Sequence, residues 1–373
     1  MTIRIGTFNA ENLFRRPKVF GLPDDAQRRE VLDDFAELVS LLDLPVYEDA
    51  TKARIAELIK KHRAYAVDPE DPSPIFINQT RGGSGMLFKT VGRPGDADFR
   101  VNVFAKGRAK WAGWAELVRD DLDWDAVKNT GRVVAEVDAD ILLTVEVEDR
   151  LTLDRFNRHV LGGLLGKRPY PFNMLVDGND SRGIDVGILS RHPITSIRSH
   201  IFDTDPDHPD GGPVFSRDCP EFEIDLDGTP LWLLGNHLKS KSNDDPALRL
   251  AQARQVARIH RAALERSPHV VVAGDLNDPL DSEPVRALLD TGLRDAMSHP
   301  AYRGDPGTHG QGTTPNDKLD YLLLPPTLFD RVQHVGVERR GIFAPPAVKS
   351  FDTVTSKANE ASDHAALYAD LDL

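Results

Sequence analysis

One stretch constrains the chain more than any other: Val270-Val271-Val272-Ala273-Gly274-Asp275-Leu276-Asn277-Asp278-Pro279. Four small, mostly β-branched residues read as a strand buried on both faces. Gly274 ends the run. A carboxylate and a carboxamide follow two positions apart, and in extended backbone residues i and i+2 share a face. Asp275 and Asn277 are therefore expected to aim at one point, where a hard cation or a phosphate oxygen would be served by both. Taken alone, the same residues also suit a strand end closed by an Asx turn. Asp278-Pro279 turns the chain away, and Ser282-Glu283-Pro284 caps a short helix through Leu289.

Other apolar runs end in the same way. Residues 3–8 form a short strand that leads into Asn9-Ala10-Glu11. Residues 141–145 form a buried strand ending in Glu146-Val147-Glu148. Burying either glutamate without a partner is costly, so each must reach solvent, a cation or a hydrogen-bonding network. The Asp227-Gly228 pair is a hairpin turn signal. The second strand of that hairpin, 231–234, delivers Asn236-His237-Leu238-Lys239-Ser240-Lys241. A strand over 319–324 carries Asp320, and Ser362-Asp363-His364 opens a last strand over 365–371. Further strands are expected at 172–176, 185–190, 194–202, 221–226 and 332–337. Helices are expected at 27–42, from Glu48 onward, around Trp111, Trp114, Leu117 and Val118, and at 125–137, 153–165 and 245–265. Residues 68–74 read as a linker, 81–85 as a tight loop and 203–213 as a polar loop, and 86–89 with 99–103 as a hairpin. The whole chain, 1–373, is expected to be one α/β domain with a mainly helical insertion at about 15–123.

Asn9, Glu146, His237, Asp275, Asn277, Asp320 and the Asp363-His364 pair thus all sit at strand ends. One such residue means little; the repetition points to ends converging on one cleft. Carboxylate and amide oxygens suit Mg2+ or Mn2+. Two histidines suit proton transfer and stabilisation of a charged phosphoryl group. The chain has no HExxH helix, Walker loop, GxGxxG turn or GxSxG elbow.

Composition narrows the partners. A formal net charge of −13 argues against a protein that merely coats nucleic acid. It leaves open a hydrolase in which metal ions and a local basic patch neutralise a phosphodiester. Cys219 is the only cysteine, which excludes an intrachain disulfide and a cysteine-based zinc site. The N-terminal residues resemble no leader, and there is no apolar run of about 18 residues. A soluble, cytoplasmic protein is expected, with nucleic acid as substrate, no membrane insertion and no obligate protein partner.

The blocks Gly6 to Phe14, Asp140 to Val147, Gly183 to Ser190, Asn236-His237-Leu238-Lys239-Ser240-Lys241, Gly274-Asp275-Leu276-Asn277, Leu319-Asp320-Tyr321 and Ser362-Asp363-His364 together resemble the endonuclease/exonuclease/phosphatase superfamily. These are the deoxyribonuclease I-like metal-dependent phosphoesterases. The blocks occur in the family's order and span nearly the whole chain. The resemblance implies a four-layer α-β-β-α sandwich of two packed mixed β-sheets with a cleft at one edge. It implies Mg2+ (or Mn2+) held by Glu146 with Asn9 and Asp363. Asp275 would orient or deprotonate the attacking water, and Asn277 would hold the phosphate or the nucleophile. His364 would contact the phosphate or act as base, oriented by Asp320, and His237 would donate to the phosphoryl oxygens. Arg182, Asn236, Lys239 and Lys241 are candidate substrate-binding residues. Two positions depart from the family pattern: Val145 precedes Glu146 where the family has Gln, and Asn236 and His237 are adjacent where the family often spaces them.

The expected activity is a metal-dependent phosphoesterase, a nuclease cutting DNA or RNA by in-line attack of an activated water. The alternatives are a phosphatase or phosphodiesterase acting on a small molecule, inositol phosphate or phospholipid headgroup, and a non-catalytic binding protein on the same fold.

Overall fold

The apolar runs pair into two six-stranded sheets. The structure, a computed structural model, describes residues 2–13, 17–22, 24–65, 73–80, 85–119, 123–180, 182–241 and 244–373. These fall into two compact units, 1–14 with 122–373, and 15–121.

In the first unit, one sheet has the order Val332–Glu338, Ala366–Asp372, Thr2–Leu13, Ile141–Val147, Asp185–Ser190, Phe172–Val176. The other has the order Arg294–Asp295, Asp320–Leu324, Val270–Asp275, Thr229–His237, Glu221–Leu226, Ile194–Arg198. Each sheet is antiparallel except for one central parallel pair: Thr2–Leu13 with Ile141–Val147, and Thr229–His237 with Val270–Asp275. Parallel partners end on the same side. The C-terminal ends of these four central strands carry Asn9, Glu146, His237 and Asp275.

The alternation of side chains builds the layers. Ile3, Ile5, Ile141, Leu143 and Val145 pack with Phe222, Leu231, Leu233, Val271 and Ala273 in the core between the sheets. On the far side of the first sheet, Phe8, Leu142 and Leu189 pack on Val127, Val134 and Val137 of helix Trp124–Val137 and on Leu153 and Phe156 of the next helical segment. On the far side of the second, Val270, Val272, Leu234 and Tyr321 pack on helix Pro246–Leu264 through Ala253, Val256 and Ala257. The result is helix, sheet, sheet, helix. The Val-Val-Val-Ala run is apolar throughout because its odd members face one core and its even members the other. A one-residue slip would exchange the two sets, so the register is firmly set. Gly274 is required at φ +129: a Cβ there would lie 1.9 Å from the Asn236 carbonyl oxygen of the neighbouring strand.

The unit 15–121 has its own core of Leu38, Ile55, Leu58, Ile59 and Trp111. It holds helices Asp25–Leu42 and Asp49–Lys61, a sheet of Ile75–Gln79 with Gly113–Leu117, and a hairpin of Phe88–Val91 with Arg100–Val103. The expected helix around Trp111 and Trp114 is therefore corrected to a strand over Gly113–Leu117, with Trp111 at the bend before it. Gly113 sits so close to the Asn78 carbonyl oxygen that a Cβ would lie 2.0 Å from it. Side chains alternate along the strand, and Trp114 is 59% exposed, whereas Trp111, ahead of the strand, is buried. The hairpin lies where it was expected, and the pair Ile75–Gln79 with Gly113–Leu117 is the unexpected strand pairing of the unit. Residues 203–213 are not a plain loop but contain the paired strands Thr204–Asp205 and His208–Pro213. Most of the expected linker at 68–74 and of the tight loop at 81–85 lies outside the described residues. Among the described residues, no helix is long and apolar enough to cross a membrane.

Candidate functional site

Asn9 joins the two sheets at the ends of their central strands. Its Nδ2 donates to Glu146 Oε1 in its own sheet at 3.2 Å and to Asp275 Oδ2 in the facing sheet at 3.2 Å. Its Oδ1 accepts the Glu11 N–H at 3.2 Å. His237 Nε2 lies 3.8 Å from Glu146 and 3.7 Å from Asp275. His364 Nε2 lies 3.8 Å from Asp275 and 3.8 Å from Asp363. Five of the predicted residues thus surround one small volume, and Asp363 stands at its more exposed side.

Local backbone distortion aims two of the oxygen ligands. Glu146 has φ +62, and the ladder slips between Val145 and Val147 against both neighbouring strands. Val145 therefore packs between the sheets while Val147, two residues on, packs under the helices. Glu146 is the extra residue of a bulge, turned out of both cores. Asn277 has φ +55, so the stretch after Asp275 is not extended as expected. Its N–H closes an Asx turn on Asp275 Oδ1 at 2.9 Å, and its Nδ2 donates to the Leu238 carbonyl at 3.1 Å. The turn leaves Asp275 Oδ2 for the site. Both readings of this stretch hold in part: a turn is made with one carboxylate oxygen, and the other faces the cleft.

His364 is fixed from behind. Its Nδ1 donates to Asp320 Oδ2 at 2.8 Å. That oxygen also accepts the Thr308 hydroxyl at 2.7 Å. Ser362 Oγ accepts the His364 N–H at 3.0 Å and donates to the Asn9 carbonyl at 2.7 Å. The ring orientation is therefore fixed, with Nε2 presented to the site.

The charges are set by burial and by each other. Burial pushes the Asp275 carboxyl up to about 7; the His364 charge opposes this and the Asp320 and Glu146 charges add to it. Burial also raises Glu146, helped by repulsion from Glu11 and Asp363. Burial, then the charges of Arg217 and Arg182, holds His237 well below its ordinary value, so it is neutral. His364 is the opposite case. Burial disfavours its charge, but Asp320 and Asp275 outweigh that and keep it protonated. Burial likewise opposes ionisation of Asp363, yet hydrogen bonding to His309 and the His364 charge hold it well below the carboxylate range.

The substrate-binding candidates divide. Arg182 forms a fork on Asp180, at 3.0 and 2.7 Å. Lys239 is half-buried and lowered by burial and by the charges of Arg217 and Arg182. Lys241 is exposed, with Nζ 2.8 Å from Asp278. Asn236 is not brought to the site. It points to the other side of its strand from His237, and its Nδ2 donates to the Leu234 and Ala273 carbonyls.

Arg217, which sequence reasoning missed, is almost fully buried, with Nε 2.9 Å from Asp180. Two guanidiniums share one carboxylate, leaving net positive charge beside His237 and Glu146. Glu11 was noted only as a neighbour of Asn9; it accepts the Asp363 N–H at 2.9 Å, tying the two strand ends together. His309 was also missed and lies 3.4 Å from Asp363. No strand-end pattern marks Arg217 or His309, because both lie in loops. Among the described residues, two groups place three His or Asp ligand atoms within 4.8 Å: His309, Asp363 and His364, and Asp275, Asp320 and His364.

Comparison with solved structures finds truncated TDP2 of Caenorhabditis elegans, at 21% identity over 66% of this chain and 90% of that one, with a TM-score of 0.46. An endonuclease/exonuclease/phosphatase family protein of Bacteroides thetaiotaomicron is similar at 18% identity over 66% and 89%, TM-score 0.48. The mannosyl-6-phosphatase of the same organism is similar at 16% identity over 66% and 91%, TM-score 0.48. Comparison with curated proteins returned no match. The sequence pattern of the Endonuclease/Exonuclease/phosphatase family matches residues 6–364, a span that takes in every strand end described above, and this chain belongs to that family of phosphoester hydrolases.

Proposed function

We propose that this chain is a divalent-metal-dependent phosphodiesterase acting on nucleic acid, with the cluster of Asn9, Glu146, His237, Asp275 and His364 as its active site. The observation that carries this reading is the bridge made by Asn9 between Glu146 and Asp275, with His237 3.7–3.8 Å from both carboxylates and His364 3.8 Å from Asp275.

The donor set fits a hard divalent cation. Glu146 is held up by burial and by the charges of Glu11 and Asp363, a repulsion that a cation would relieve. Glu146 and Asp363 would hold the ion with their carboxylates, and Asn9 would join them by turning its Oδ1, now taken by the Glu11 N–H, toward Glu146. Oxygen ligands of this kind favour Mg2+ or Mn2+. When bound, the ion supplies charge neutralisation at a phosphoryl oxygen.

The protein groups divide the remaining work. Asp275, at about 7, is matched to take the proton of an attacking water near neutral pH. The Asn277 N–H holds Asp275 Oδ1 and so orients its other oxygen. Neutral His237 and protonated His364 offer N–H groups to phosphoryl oxygens as negative charge builds. Arg182, Arg217 and Lys239 add positive charge beside them and suit a polyanionic backbone.

One observation favours a smaller phosphoester. The cations near the site are largely paired within the protein: Arg182 and Arg217 on Asp180, and Lys241 on Asp278. The test is hydrolysis of single-stranded DNA, duplex DNA, RNA, bis-p-nitrophenyl phosphate and p-nitrophenyl phosphate. It compares wild type, Glu146→Gln and His364→Ala in Mg2+, Mn2+ or EDTA. Polynucleotide cutting lost in EDTA and in both variants is the expected result. Cleavage of the small esters alone would move the assignment to a phosphatase, and no hydrolysis of any substrate would overturn it.

A further inference from the structure

The loop that precedes strand Asp320–Leu324 brings a second, more exposed imidazole to the edge of the site. His309 and His364 form an antiparallel backbone bridge. It is reinforced by Gly310 N–H to the Asp363 carbonyl at 2.8 Å and Ala365 N–H to the Thr308 carbonyl at 2.7 Å. The two rings meet edge to face, with centroids 4.9 Å apart. Asp363 lies between them: Oδ2 is 3.4 Å from His309 Nε2, and Oδ1 is 3.8 Å from His364 Nε2. We propose that His309, Asp363 and His364 form a two-imidazole, one-carboxylate site for a first-row transition ion, Zn2+ or Mn2+.

Four features of the geometry carry this. The three ligand atoms lie within 4.8 Å of one another. Nitrogen and oxygen ligands bind such ions at about 2.0–2.2 Å, which sets them about 3–3.5 Å apart, so only a small inward movement completes the site. The far nitrogen of His364 is already held by Asp320, the arrangement that fixes the tautomer and orientation of metal-binding histidines. The side chains of His309 and Asp363 are 39% and 38% exposed, so the remaining coordination positions are open to water or substrate. Finally, the backbone bridge holds both histidines, so the pairing does not depend on a flexible loop meeting the site by chance.

The site shares Asp363 with the one centred on Glu146 and differs from it in its two imidazoles. Imidazole nitrogens select transition ions over Mg2+, whereas the carboxylate and amide set around Glu146 is oxygen-based. An ion at His309 would displace the Nε2 proton of His364 to solvent and take the nitrogen that otherwise faces a phosphoryl oxygen, so it would replace that contact. The inference concerns ion binding and stands independently of which ester the enzyme cleaves.

The test uses the full chain stripped of metal and titrated calorimetrically with ZnCl2, MnCl2 and MgCl2, in wild type, His309→Phe and Glu146→Gln. Phenylalanine keeps the ring contact while removing the ligand. Wild type should bind one more equivalent of Zn2+ than His309→Phe, or bind it about 100-fold more tightly, and Glu146→Gln should keep that equivalent. Mg2+ binding should not distinguish wild type from His309→Phe. Identical Zn2+ and Mn2+ isotherms for wild type and His309→Phe would overturn the site. So would a Zn2+ equivalent lost in Glu146→Gln but kept in His309→Phe. If circular dichroism shows that His309→Phe is not folded, His309→Asn decides by the same criterion. No hydrolysis is measured, so a failure of the phosphodiesterase reading leaves the result intact.

Discussion

Replacing Asp275 with asparagine should stabilise the metal-free protein at alkaline pH. Asp275 is almost fully buried, and its carboxyl rises from 3.8 to about 7, chiefly through loss of hydration. At about 1.36 kcal/mol per pH unit, ionising it within the fold costs about 4 kcal/mol relative to the unfolded chain. A carboxyl raised on folding contributes stability that is fully present below 3.8 and is lost as the pH climbs through about 7. Asparagine mimics the neutral form and suffers no such loss. Against this, the new amide nitrogen would face Asn9 Nδ2, which now donates at 3.2 Å. Two opposed donors cost about 1–2 kcal/mol. The Asn277 N–H keeps its acceptor. Asp275→Asn should therefore be slightly less stable than wild type at pH 4 and about 2–3 kcal/mol more stable at pH 8. Denaturant unfolding in EDTA, followed by circular dichroism at pH 4, 6 and 8, measures the difference at each pH. A stability difference that does not change with pH would refute burial as the cause of the raised carboxyl.

Two further outcomes follow from the same charges. Asp320→Asn removes the largest influence favouring His364 protonation. If protonated His364 assists turnover, the alkaline limb of the pH–rate profile in Mg2+ should move to lower pH by about one unit or more, and an unmoved limb would separate Asp320 from that role. Arg217→Met removes a buried cation while Asp180 keeps its two-point contact with Arg182. Folding stability should fall by less than the ~3–5 kcal/mol of a broken buried pair, because Asp180 stays paired, while kcat/KM on an anionic substrate should fall by about tenfold or more; unchanged kcat/KM would exclude Arg217 from charge stabilisation.

The strands were legible because burial on both faces leaves a compositional trace. The run from Val270 to Asp275 and the strands Phe172–Val176, Asp185–Ser190 and Glu221–Leu226 lie where their residues predict. The strand ends were legible because a charged residue after an apolar run must find a partner, and Asn9, Glu146, His237, Asp275 and His364 do meet. What could not be read was local geometry. Nothing marks Glu146 as a bulge, since a glutamate at positive φ has no sequence signature of the kind glycine gives. Asn277 was expected in extended backbone, although its short side chain also tolerates the left-handed region it adopts. Asn236 is a substrate-binding candidate within the block that resembles the family, yet its adjacency to His237 turns it to the opposite face. Arg217 looks like any surface arginine until the fold buries it against Asp180. Trp111, Trp114, Leu117 and Val118 fit a helical period, and pairing with Ile75–Gln79 makes Gly113–Leu117 a strand instead.

Strain and burial at this site have a common origin. The central strands run straight into the cleft, and a regular continuation would turn every second side chain back into a core. Glu11, Glu146 and Asn277 break the alternation at φ +49, +62 and +55. Each left-handed, non-glycine residue costs about 1–2 kcal/mol. Placing Asp275 and Glu146 where water cannot fully solvate them adds a further cost, visible in their raised carboxyls. A sequence selected only for stability would relax both, with glycine at the bulge and an apolar or amide residue at the strand end. The retained arrangement keeps two poorly hydrated carboxylates beside one neutral and one protonated imidazole. That is a preorganised field, which needs little rearrangement when charge develops on a bound phosphoryl group. If the proposed function holds, the bulge at Glu146 is part of how the site would work, because it turns that carboxylate out of both cores to meet Asn9 and His237.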